Sequence, residues 1–124
     1  MTRANTKVLI VDDEEDICFF LSHNLSKRGF TTFFSNTLTD AIKQLEINQP
    51  EILFLDNHLP DGKGIELMDE INGLYPHLKT IMISAHDSPQ DRSNAYNNGI
   101  KFFIGKPFSM NEINRVVDLV TEEL

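Results

Sequence analysis

Five short, nearly continuous apolar runs alternate along this chain with segments whose apolar residues recur at helical spacing. The runs are Lys7–Asp12, Phe30–Ser35, Glu51–Asp56, Lys79–Ser84 and Lys101–Gly105. Strands buried on both faces of a parallel sheet have this character, whereas half-solvated strands alternate. Between the runs, Ile17, Leu21 and Leu25 recur every four residues. Leu38, Ala41, Ile42 and Leu45 form a stripe, as do Ile65, Met68 and Ile71, and then Ile113, Val116, Val117 and Val120. Stripes of this kind are helix faces turned to a core. Five strand–helix units predict a single doubly wound α/β domain with right-handed crossovers.

The helix ends are marked. Ser109 with Glu112 reads as a capping box, Thr37 with Asp40 opens the second helix, and Ser88-Pro89 with Asp91 sets a cap before a proline at the first helical position. Gly29 and Gly99 stand where helices stop. The fourth helix, Ser88–Asn98, offers only Ala95 and Tyr96 as sizeable apolar contacts. Little burial holds it to the sheet, which fits either a weak exposed helix or an element free to move.

The polar ends of the runs carry the chemistry. Asp12-Asp13, Asp56, Ser84 and Lys106-Pro107 each follow an apolar run, and the carboxyl ends of parallel strands meet in one crevice. Singly, each has a plain structural explanation: Asp12-Asp13 and Asp56 as helix N-caps, Ser84 as a turn hydroxyl, Lys106 as a solvated charge. Together they form a set of three carboxylates, a hydroxyl and an ammonium. Magnesium takes hard oxygen ligands, commonly one or two carboxylates, a role open to Asp13 and Asp56. A carboxylate can also attack phosphorus, and the transferring group then needs a metal and a cation around it.

Composition narrows the classes. With 124 residues, 40% hydrophobic and 24% charged, the prior is one globular domain. A net charge of −8 without a Lys/Arg cluster disfavours direct binding to nucleic acid or to an anionic membrane. The lone Cys18, beside Ile17, Phe19 and Phe20, cannot make an internal disulfide and reads as a small buried hydrophobe in a reducing compartment. No apolar leader opens the chain at MTRANTK, and no stretch of about 18 apolar residues occurs. A cytoplasmic location is expected.

The ordered motifs VLIVDDEED, ILFLDNHLPDGKG, IMISA and GIKFFIGKP resemble the receiver domain of two-component response regulators, across essentially all of residues 1–124. The resemblance implies a flavodoxin-like (βα)5 domain with strand order 2-1-3-4-5. It implies that Asp56 is the phosphoacceptor, with magnesium or manganese held by Asp13, by Asp12 largely through water, by Asp56 and by the His58 backbone carbonyl. Ser84 matches the switch hydroxyl, Phe103 the switch aromatic and Lys106 the phosphate-pairing lysine, aimed by a cis Lys106–Pro107 bond. Pro60 and Gly64 match the turn after the acceptor.

The same resemblance implies a phosphorelay. A histidine kinase or phosphotransfer protein would donate the phosphoryl group, and the domain would catalyse only its own phosphorylation and dephosphorylation. The output would reach a downstream protein, an effector domain or a phosphorylation-dependent homodimer through the fourth helix, fifth strand and fifth helix. The sequence departs from the common pattern at Ile100, at Ser84 in place of threonine and at Phe103 in place of tyrosine, which affects tuning rather than chemistry. His58 and His86, two beyond Asp56 and Ser84, would look outward over the site or stand as solvated loop residues. An aspartate-nucleophile phosphatase would need an Asp-x-Asp pair that Asp12-Asp13-Glu14 and Asp56-Asn57-His58 lack, and a phosphorylation-independent scaffold would usually have lost an acid or the lysine. The chain stops at the last helix, so either stand-alone action or origin in a longer regulator is open.

Overall fold

The computed structural model describes residues 5–124. The N-terminal residues 1–4, part of the segment noted as lacking an apolar leader, lie outside them. The strands are β1 (Lys7–Val11), β2 (Thr31–Ser35), β3 (Ile52–Asp56), β4 (His58–Leu59), β5 (Gly62–Lys63), β6 (Lys79–Ser84) and β7 (Phe102–Gly105). The helices are α1 (Glu15–Lys27), α2 (Leu38–Asn48), α3 (Met68–Leu74), α4 (Pro89–Asn97) and α5 (Met110–Thr121), with a 3-10 turn over Gly64–Leu67. The five long strands form one parallel sheet in the order β2-β1-β3-β6-β7. Leaving out the two-residue hairpin strands β4 and β5, this is the expected 2-1-3-4-5.

Alternate residues of the apolar runs serve opposite faces. Val8, Ile10, Ile52, Phe54, Ile81, Ile83 and Ile104 pack with Leu21 and Leu25 of α1 and with Ile113, Val116, Val117 and Val120 of α5. Leu9, Val11, Leu53, Leu55, Met82 and Phe103 pack with α2, α3 and Ala95 of α4. The sheet is therefore covered on both sides, as runs without polar alternation require. β2 departs from that rule: it is an edge strand, and Phe34 is 52% exposed. Ile42, counted in the α2 stripe, is also exposed because Ala41 and Leu45 already fill that face.

The caps follow the sequence with one difference. Ser88 and Asp91 make a complete capping box and Thr37 caps α2 by accepting the Asp40 N–H, but Ser109 only accepts the Glu112 N–H and makes no box. Asp40 accepts from Ser35 Oγ at 2.6 Å. The capping position before α1 is Glu14, without a side-chain bond. Gly29 and Gly99 both have φ +96°, the left-handed conformation of a helix stop. α4 buries only Ala95; Tyr96 is exposed. Among the described residues no helix is long and apolar enough to cross a membrane.

Candidate functional site

The adjacent strands β1, β3, β6 and β7 bring their carboxyl ends side by side, so Asp12-Asp13, Asp56, Ser84 and Lys106 share one end of the sheet. Asp12 is fully buried and Asp56 is 4% exposed. Asp12, Asp13 and Asp56 each offer a carboxylate oxygen within 4.8 Å of the others. Lys106 Nζ stands 2.9 Å from Asp12 Oδ2, 3.5 Å from Asp56 Oδ2 and 3.6 Å from Glu14 Oε1. Its contact with Asp12 Oδ2 is a close ion pair, and among the described residues that buried oxygen has no other partner. Asp12 Oδ1 accepts the Glu14 N–H at 2.8 Å, which orients the carboxylate toward the cluster.

Charge crowding sets the ionisation. Burial first, then the Asp12 charge, lifts the Asp56 carboxyl to about 6 against the pull of Lys106. Burial also raises Asp12, opposed by Lys106 and by the Glu14 N–H. For Lys106 burial alone would favour the neutral amine, but Asp12, Asp56 and Glu14 outweigh it and hold the ammonium above its ordinary range. The buried Asp12 and Asp56 and the exposed Asp13, with one ammonium, leave a surplus of negative charge at this end of the sheet. Such a place suits a hard divalent cation with oxygen ligands. Asp12 Oδ2, buried beside the Lys106 ammonium, faces this cluster and could also serve such a cation.

The acceptor loop is built on short polar ties. The His58 N–H points at Asp56 Oδ1 at 3.4 Å, Asn57 O accepts from the Gly64 N–H at 3.0 Å, and Asn57 Oδ1 accepts from the Ile65 N–H at 2.9 Å. Asp61 reaches α2 and accepts from the Leu38 and Thr39 N–H groups at 2.8 and 3.0 Å. These bonds hold its carboxyl below the usual range. Pro60 and Gly64 stand in this loop as expected, but the β4–β5 hairpin and the 3-10 turn were not foreseen. Two-residue strands leave no periodicity to read. Gly64 has a specific duty: a Cβ there would run into the Asp56 carbonyl oxygen and Leu55. Gly64→Ala should therefore displace the acceptor strand end and cost about 1–3 kcal/mol, read from the urea midpoint. A midpoint equal to that of the wild-type chain would show that the loop has room.

On the other side, Ser84 is buried and its Oγ accepts the His86 N–H at 3.0 Å, while the Lys106 N–H donates to Ser84 O at 2.8 Å. The Lys106–Pro107 bond is cis, as expected. His58 and His86 face each other across the mouth, ring centroids 4.1 Å apart and planes 24° from parallel. Phe103 is buried with the Arg92 guanidinium over its ring, 4.7 Å from the centroid. Cys18 is buried as expected, its Sγ donating to Asp12 O at 3.3 Å, and burial pushes the thiol up to about 12. Arg92, Asp61 and Glu14 were not singled out from sequence. Only Glu14, inside the acidic run after β1, carried a signal that could have marked it.

Exposed aromatics occur on α1 as well as at Tyr96 of α4 and Phe34 of β2. Phe19 is 72% exposed and stacks on His23, while Phe20 tilts against Phe108. Both belong to α1, whose first turn begins beside the acidic cluster.

A family model described as the response regulator receiver domain matches residues 8–118. Among curated proteins, the alkaline phosphatase synthesis transcriptional regulatory protein PhoP of Bacillus subtilis (strain 168) is 31% identical over 116 residues. The match takes in 94% of this chain and 48% of PhoP, so the chain spans about half the length of that relative. Among solved structures, the non-phosphorylated HemR receiver domain of Leptospira biflexa is similar with TM-score 0.88 and 26% identity, covering 94% of each chain. A two-component response regulator from Clostridium difficile superposes with TM-score 0.91, covering 95% of this chain and 97% of that one. At 24% identity that likeness is one of fold.

Proposed function

The chain belongs to the response regulator receiver domain family, and from that premise we propose that residues 1–124 form one receiver unit that accepts a phosphoryl group on Asp56. The observation that carries the reading is the placement of Lys106 Nζ within 4 Å of both Asp12 and Asp56 at the rim of an acidic cluster fit for a divalent cation. In the transfer, an Asp56 carboxylate oxygen forms a bond to phosphorus as the phosphorus–nitrogen bond of a phosphohistidine breaks and the imidazole leaves. Magnesium, held by Asp12, Asp13, Asp56 and the His58 carbonyl, would offset the charge of the phosphoryl oxygens and of the acids.

The chain's own groups do the rest. Lys106 pairs with one phosphoryl oxygen and Ser84 Oγ–H donates to another. The same groups serve the reverse step, in which water attacks phosphorus and Asp56 leaves as a carboxylate. The domain thus processes only its own modification and is not an enzyme with a separate substrate. A histidine kinase or phosphotransfer protein supplies the group. A downstream protein or effector domain, or a second copy of the chain, reads the result at the surface of α4, β7 and α5.

Acetyl phosphate should add one phosphoryl group to the intact chain in the presence of magnesium, none in EDTA, and none to Asp56→Asn, as followed by intact-mass spectrometry. Equal labelling of Asp56→Asn and the wild-type chain would refute Asp56 as acceptor. Labelling undiminished in EDTA would refute the role given to the metal.

A further inference from the structure

We propose that Arg92 is a positioning residue of the phosphoryl site: from α4 it fastens the loop after Ser84 to the end of β7 and so keeps Ser84 and Lys106 set for one phosphoryl group. The inference rests on the phosphoacceptor reading of Asp56.

α4 has almost no apolar means of holding its place, since Ala95 is its one buried residue. Arg92 supplies a polar fastening instead. Its guanidinium lies over the Phe103 ring and Nη1 donates to the Phe103 carbonyl at 3.5 Å. Nε donates to the Asp87 carbonyl at 3.3 Å, and Nη2 is 3.7 Å from Asp87 Oδ2. One side chain therefore touches three elements: α4, the loop that runs from Ser84 to Ser88, and β7.

The Asp87 carboxylate does not simply face solvent. It lies against Gly105, where an added Cβ would collide with Oδ2. Gly105 precedes Lys106, whose N–H is bonded to Ser84 O. The loop is thus joined to the β7 end twice, once directly at Ser84–Lys106 and once through Asp87 and Arg92. The rigid planar fork of arginine makes the stacking and the paired contacts together, which a lysine could not do. Keeping Ser84 and Lys106 in one arrangement before the phosphoryl group arrives removes an ordering cost from binding it.

The test uses beryllofluoride, a phosphoryl mimic that binds an aspartate, titrated into the full chain at saturating magnesium and followed by amide chemical shifts. Arg92→Gln should weaken beryllofluoride binding about tenfold while magnesium affinity without beryllofluoride stays at the wild-type value. Arg92→Lys, which keeps the charge but not the fork, should fall between. In a Phe103→Leu background the Arg92→Gln effect should shrink, because one of the contacts it removes is already gone. Unchanged beryllofluoride affinity in Arg92→Gln would overturn the proposal. So would a magnesium affinity reduced by the same factor, which marks general loosening. A wild-type chain that ignores beryllofluoride would overturn the phosphoacceptor reading itself, and this inference with it.

Discussion

Asp56→Asn should resist urea better than the wild-type chain near pH 8 without metal, and the gain should vanish as the pH falls toward 4. Asp56 is 4% exposed, and burial together with Asp12 lifts its carboxyl from 3.8 to about 6. Between those values the native state holds the proton more tightly than the unfolded chain does. Stability therefore falls as the pH rises through the window and levels off above about 6. A difference of about 2 units, at about 1.4 kcal/mol each, makes ionised Asp56 cost the native state at most about 3 kcal/mol. Asn removes that cost. Asp12, raised for the same first reason, adds a slope of the same sign. Magnesium should stabilise the wild-type chain more than Asp56→Asn, because a cation bound to the native state offsets the same charge. Equal stability of the two chains near pH 8 in EDTA would mean that Asp56 is less strained than its burial implies.

Removing Lys106 should have the opposite sign. Its side chain is 12% exposed and is the cation nearest the fully buried Asp12 carboxylate. Lys106→Met would leave that charge uncompensated, a change that costs about 3 kcal/mol or more when one partner of a buried pair is deleted. The urea midpoint in EDTA at neutral pH should drop accordingly and recover in part with magnesium, which replaces some of the missing positive charge. Acetyl phosphate labelling of Lys106→Met should be slow even with metal, since no cation then pairs with the transferring oxygens. A loss below about 1 kcal/mol would place Lys106 among ordinary surface ion pairs.

The sheet was legible because its strands are buried on both faces, which writes them as unbroken apolar runs. The expected Lys79–Ser84 coincides with β6, and the other four ranges differ from β1, β2, β3 and β7 by one terminal residue. The placement of the candidate residues Asp12, Asp13, Asp56, Ser84 and Lys106 was legible for a related reason: each ends or follows such a run, so placing the strands places them. What depended on contacts between distant segments was not legible. His58 and His86 were noted together as residues two beyond Asp56 and Ser84, but their stacking follows from β3 lying beside β6. Arg92 looked like one more polar residue on a polar helix until β7 brought Phe103 beneath it. Phe34 looked buried because an edge strand and a central strand can share the same composition.

The central claim, that Asp56 carries the phosphoryl group, is tested most directly by trapping the bond. Borohydride reduces an aspartyl phosphate to homoserine, so a chain incubated with acetyl phosphate and magnesium, then reduced and digested, should show homoserine at position 56 by peptide mass spectrometry. The conversion should disappear in EDTA. Homoserine at Asp12 or Asp13 instead, or no conversion at any aspartate while the intact chain still gains a phosphoryl group, would contradict the assignment.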